Sequence, residues 1–184
     1  MAYRNGTYVA FHAQGTNIPI DSDMKYYNLL KAWTAKTDDD FSMINSHEKT
    51  SAVRDSSLKE TLRNRLKERL RNSKHLLLII GKTTKYDTDW VPFEITYAVD
   101  ECDLPVIVVY PDYQYILNVN SHSVDWPKAL KDRIESNKVK AIHIPFKKEP
   151  IKDAISRFTH NNKPATAINY YSKEAYKSFG IEIT

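Results

Sequence analysis

Cys102 is the only cysteine in the 184 residues, so no disulfide can form within the chain. No charged and apolar segment of leader type opens the sequence. The longest apolar runs, Leu76 to Ile80 and Val106 to Tyr110, fall far short of a bilayer span. These absences set the expectation of a soluble, cytoplasmic protein with no membrane partner. The histidines and Cys102 lack zinc-site spacing, and Asp38-Asp39-Asp40 lacks the alternating oxygens of a calcium loop, so no metal is expected. Charge of one sign is modest as well. A net charge of +4 and a pI of about 9.0 favour anionic ligands but fall short of a dedicated nucleic-acid binder. There is no internal repeat and no low-complexity segment, and the length suits one domain around one core.

What the sequence does contain is alternation. Apolar, β-branched runs at Thr7 to His12, Phe41 to Ile44, His75 to Ile80, Pro105 to Tyr110 and Val139 to Ile144 read as strands, separated by segments with helical spacing. That order predicts an α/β fold with a mostly parallel sheet covered by helices on both faces. In the first helix Tyr26, Tyr27, Leu29, Leu30 and Trp33 share a face, with Asp21, Ser22 and Asp23 as candidate caps. In the second, Ser57 and Glu60 form a capping-box pattern and Leu58, Leu62, Leu66 and Leu70 make a stripe. Its basic side chains, among them Lys59, Arg63, Lys67 and Arg71, are expected to face solvent. A third helix is expected from Trp90 to Glu101, a fourth around Trp126 to Glu135 with Asp125 as cap, and a fifth over Glu149 to Phe158. Residues 1–159 then form the domain, and 160–184 an appendage whose Tyr170, Tyr171, Tyr176 and Phe179 suggest a short docked helix. The long connection Pro111 to Asp125 reads as a lid or partner surface.

One stretch carries chemistry. Trp90-Val-Pro-Phe-Glu94 opens a helix just after the run His75 to Gly81, which places a carboxylate near a strand's carboxyl end, where open α/β sheets bind ligands. The plain alternative is an acid in the first helical turn, favoured there by the helix dipole.

Taken together, Tyr8-Val-Ala-Phe-His12, the Leu-Leu-Leu-Ile-Ile-Gly81 strand and Trp90-Val-Pro-Phe-Glu94 resemble the TIR-like branch of Toll/interleukin-1 receptor domains. The form they resemble is that of bacterial Thoeris-type antiphage defence. The correspondence covers about residues 7 to 159 and is most specific from Lys74 to Ile95. It implies a flavodoxin-like TIR fold, a five-stranded parallel sheet in the order 2-1-3-4-5. It also implies NAD as substrate with no other cofactor, and a hydrolase or cyclase that makes a cyclic ADP-ribose isomer as messenger. The implied partners are a separate effector protein reached by that diffusible messenger and a phage-derived trigger. By motif, Glu94 takes the catalytic place. The loop Asn45 to Ser57 lacks the proline-glycine signature of animal signalling loops, which argues against adaptor-type contacts through it.

On that reading Gln14 and Gly15, in the loop after the first strand, offer donors and close backbone approach to ribose or diphosphate. Phe11 and His12 stand at the strand end as contacts for nicotinamide or ribose. Ser46, His47 and Arg54 lie in a loop able to close over the ligand, and Trp90 stands at the helix start as a contact or a packing residue. The competing functions are a non-catalytic TIR-like interaction module and a nucleoside or nucleotide glycosyl-transfer enzyme.

Overall fold

Strand pairing sets the frame. The computed structural model describes residues 4–13, 22–34, 43–44 and 56–184. Within them β1 (Thr7–Ala10), β2 (Met43–Ile44), β3 (His75–Ile79), β4 (Val106–Tyr110) and β5 (Ala141–Pro145) run parallel in the order β2-β1-β3-β4-β5. Four strands of four or five residues form the body of the sheet. The two residues of β2 add only the pairs Thr7 with Met43 and Tyr8 with Ile44. The expected fifth strand is thus a short edge element, and Phe41, with Asp38 to Asp40 before it, lies outside the described residues. An edge strand has one neighbour, so little holds it to length.

Alternation along the strands decides what covers each face. Tyr8, Ala10, Leu76, Leu78, Val106 and Val108 meet α2 (Ser56–Arg71), α3 (Trp90–Thr96) and α4 (Lys128–Glu135). Val9, Leu77, Ile79, Ile107, Val109, Ile142 and Ile144 meet α1 (Met24–Thr34), α5 (Lys148–Arg157) and α6 (Lys173–Ser178). On α1, Met24, Tyr27 and Leu30 are buried, whereas Leu29 is 42% exposed and leaves the expected face. On α2, Leu62, Leu66 and Leu70 are buried and Leu58 is exposed, because a step of four residues overshoots one turn and the stripe drifts. The helix starts at Ser56, so Ser57 lies inside it and does not occupy the cap position. α4 starts at Lys128, later than expected, because Val119–Asp125 forms a 3₁₀ segment and Pro127 takes the capping position.

The basic face of α2 has partners beyond those expected. Lys59 and Arg63 lie over the Trp90 ring, Arg63 over Phe93, and Lys67 and Arg71 over Tyr97, with centroid distances of 5.4–5.8 Å. Asp89 pairs with both Lys59 (2.5 Å) and Arg63 (2.8 Å). Arg71 is exposed and Lys59, Arg63 and Lys67 are partly so, as a solvent-facing stripe requires, but half-exposed aromatics at positions 90, 93 and 97 draw these cations along the seam. Replacing Arg63, Lys67 and Arg71 together by Gln should therefore lower unfolding stability by about 1–3 kcal/mol, from several contacts of up to ~1 kcal/mol each. Urea denaturation with an unchanged midpoint would show that the ladder contributes nothing.

Past Thr96 the helix widens into a π-helical segment, Tyr97–Glu101, and closes with Asp103 in the left-handed region (φ 52°), two residues before Pro105. The residues from 160 onward are stitched to the sheet. Asn169 bridges to Ile142, its carbonyl accepts from the His143 N–H at 2.8 Å, and Thr166 accepts from the Ala141 N–H. This covers the outer edge of β5. Tyr171 and Tyr176 are buried in the core of that face, while Tyr170 stays exposed. The Tyr176 hydroxyl donates to the Ile116 carbonyl and accepts from its N–H, both at 3.2 Å, which pins the connection after β4. That connection, expected as a lid or partner surface, buries Ile116 and Val119 and is held in place.

Candidate functional site

The helix bearing Glu94 is fixed at its start. The Asp87 carboxylate accepts from the N–H groups of Asp89 and Trp90, both at 2.9 Å, and Pro92 falls in the first turn, where a missing N–H costs no helical bond. Val91, Glu94 and Ile95 then form the inward stripe, all fully buried. Glu94 is the fifth residue of α3, beyond the first turn, so the dipole reading of this acid does not hold. It is an acid in an otherwise apolar stripe.

What it meets is Tyr8. The phenol donates to Glu94 Oε1 at 2.6 Å, across the gap between β1 and α3. Burial pushes the Tyr8 hydroxyl well above its ordinary range, the adjoining negative carboxylate and their hydrogen bond add to that, and the Arg69 charge works against it. The proton therefore stays on Tyr8, and Glu94 is the acceptor. Nothing in the strand's local sequence marks Tyr8 for this role, since its partner lies 86 positions away.

A second polar cluster stands at the carboxyl ends of β1 and β3. Asp23, 4% exposed, accepts from the Thr84 hydroxyl at 2.7 Å, and the same oxygen of Thr84 accepts from the Gly81 N–H at 2.8 Å. Burial raises the Asp23 carboxyl above its ordinary value, against the Thr84 hydrogen bond and the influence of His12, which lower it. His12 Nδ1 lies 3.2 Å from Thr83 Oγ1, and the His12 carbonyl accepts from the Asp23 N–H. His12, half-buried, is thus at the edge where a ligand would meet it. On the far side of the same turn, Lys85 reaches Asp125 and the Val124 carbonyl.

The other expected contacts divide. Phe11 is a correction: it is 1% exposed and stacked on Tyr27 at 5.0 Å, so it packs in the core and presents no face to the edge. Trp90 lies in the α2–α3 seam, edge-on to Phe93 and beneath Lys59 and Arg63, which is a packing position. Gln14, Gly15, Ser46, His47 and Arg54 lie outside the described residues. Among the described residues no cluster of His, Cys, Asp and Glu has the make-up of a metal site. Nor is any helix among them long and apolar enough to cross a membrane. Sequence reasoning missed Tyr8, Thr83 and Thr84 and read Asp23 only as a cap. Gly81, directly after the β3 run, was the available hint to Asp23.

A parallel α/β sheet with a buried carboxylate on the helix after its third strand is consistent with a TIR-like domain. The family described as Thoeris protein ThsB, TIR-like domain, matches residues 8–116, more than half of the chain and inclusive of Tyr8, Asp23, Gly81 and Glu94. The chain belongs to that family, and so to Thoeris antiphage defence, a system that works through partner proteins. α4, β5, α5 and α6 lie beyond the matched span.

Proposed function

We propose that the domain consumes NAD, breaking the bond between nicotinamide and its ribose and closing the remainder into a cyclic ADP-ribose isomer. That messenger would diffuse to a separate effector protein, with a phage-derived trigger upstream. The observation that carries the reading is Glu94: a carboxylate enclosed among apolar side chains with Tyr8 as a donor costs stability, and such groups are retained mainly for function.

The chemistry asks for such a group. As the C1–N bond breaks, its electron pair leaves with nicotinamide and positive charge develops on the ribosyl carbon and its ring oxygen. A carboxylate beside that carbon stabilises the transition state more than the ground state. A hydroxyl of the adenine-side ribose then attacks C1 and gives its proton to Glu94, which closes the ring. If water attacks first, the product is linear ADP-ribose, so water exclusion sets the outcome. Tyr8 holds Glu94 Oε1 and so fixes the carboxylate against β1.

The complete burial of Glu94 favours a second reading, in which the Tyr8–Glu94 pair is only a core hydrogen bond of an interaction module. It also gives the first reading a regulatory consequence, because Glu94 must become accessible before it can meet NAD. The isolated chain is therefore expected to turn NAD over slowly, and faster when extract from phage-infected cells is added. Mass spectrometry of nicotinamide and cyclic ADP-ribose isomers reads both conditions. Fast turnover without extract would remove the regulatory step, and no turnover in either condition would favour the interaction module.

A further inference from the structure

The sheet order places a topological switch point between β1 and β3: from β1 the chain crosses outward to β2 on one side, and from β3 onward it proceeds to β4 and β5 on the other. Ligands of open α/β sheets bind in the crevice outside the carboxyl ends of the strands at such a point. Asp23 stands in that crevice. It precedes α1, its N–H is held by the His12 carbonyl at the exit of β1, and its carboxylate is held by Thr84 at the exit of β3. A Cβ built on Gly81 would lie 1.9 Å from Asp23 Oδ1, so the carboxylate occupies the space that any other side chain at 81 would need. Three segments that are far apart in sequence meet on one buried acid.

That acid is poorly explained by stability. The Thr84 hydroxyl, the His12 backbone and the charges of His12 and Lys25 all favour the carboxylate, yet burial outweighs them together and holds the carboxyl above its ordinary value. We propose that Asp23 is a positioning residue for the nucleotide: through Thr84 and the His12 backbone it sets His12 at the exit of β1 and the Gly81 to Thr84 turn at the exit of β3 in the arrangement that receives the ribose and diphosphate of NAD. This rests on the NAD reading above for the ligand, and on the switch point for the place. Asp23 bonds to Thr84 and His12 and Glu94 to Tyr8, so the proposal gives Asp23 a part in binding and leaves the bond-breaking step to Glu94.

The test compares Asp23→Ala, Asp23→Asn and Gly81→Ala with wild type, each also in a Glu94→Gln background. Turnover of the activated full chain gives KM and kcat for NAD, and calorimetry in the Glu94→Gln background gives the NAD Kd without turnover. Asn keeps an oxygen for the Thr84 proton, and it should bind NAD within about threefold of wild type. Asp23→Ala loses the acceptor and Gly81→Ala displaces the carboxylate, so KM and Kd should rise about tenfold or more, with kcat nearly unchanged. A merely structural role would lower melting temperature and active fraction while leaving KM and Kd of the folded protein alone, and that result would overturn the proposal. Asn as damaging as Ala would overturn it too, because charge and not placement would then be at issue. If NAD binds with an affinity that depends on Asp23 but is never turned over, the positioning role stands and the catalytic reading fails. If NAD is turned over and the variants keep their KM and Kd, positioning fails alone; if NAD neither binds nor reacts, both fail.

Discussion

Glu94→Gln is expected to leave the protein folded, with a melting temperature close to that of wild type, and to reduce NAD conversion by about a hundredfold or more. The two halves of that result have separate causes. The amide keeps an oxygen where Glu94 Oε1 now accepts from Tyr8, so the link between β1 and α3 survives. The amide also matches the carboxyl in size, so the fully buried position stays filled and the fold is kept. Catalysis depends on the charge itself, since a neutral amide offers the developing oxocarbenium carbon little stabilisation. Calorimetric melting and mass spectrometry of activated samples measure the two together. A stable Gln variant that still converts NAD at the wild-type rate would take Glu94 out of the mechanism. A variant that loses stability and activity in step would make it a core residue.

How much of this was legible in the sequence follows from the range of each interaction. Strands β1, β3, β4 and β5 and the Leu62, Leu66 and Leu70 stripe depend on local periodicity, and each was readable from neighbours in the chain. Glu94 was readable for the same reason, as a residue type at a set distance after a strand. The basic stripe of α2 was legible as an outward face but its partners Trp90, Phe93 and Tyr97 were not, because they belong to another element and periodicity locates a polar face without naming what approaches it. Tyr8 looked like any aromatic in a buried strand, and its hydroxyl acquires meaning only once α3 is laid across β1. Asp23 fits the pattern of a helix cap, yet its carboxylate turns toward Thr84, 61 positions on, while the cap-type bond to Met24 N–H comes from Ser22. The end of α3 was placed by Pro105, but the widening over Tyr97–Glu101 has no local sequence mark.

Acidification should unfold the protein well above the pH at which its carboxylates are neutralised, because two histidines are buried as neutral rings. His75 Nδ1 faces the Phe158 carbonyl at 2.8 Å, which can only accept, so Nδ1 carries the hydrogen and Nε2 accepts from Thr7 Oγ1 at 2.7 Å. His143 Nε2 likewise donates to the Ala167 carbonyl at 3.0 Å, leaving Nδ1 to accept from Tyr110, whose oxygen accepts in turn from Trp126 Nε1. Burial lowers both rings to about 4 from an ordinary value of 6.5. Between those values the unfolded chain binds two protons that the folded chain does not, so their stabilisation is complete above pH 6.5 and is lost as pH falls toward 4. Each ring then accounts for about 3 kcal/mol, together a large part of the ~5–15 kcal/mol typical of a domain. His122 and His160 are lowered too and act in the same sense, whereas Asp23, raised by burial, acts in the opposite one. Urea melts between pH 7.5 and 4.5 should give a slope near 3 kcal/mol per pH unit, about two protons, in the steep part of that window. In His143→Gln the slope should fall to about half, since one proton-binding difference has been removed while the chain from Trp126 through Tyr110 keeps an acceptor. A wild-type stability that stays level from pH 7 to 5 would show that these rings are not held neutral by the fold.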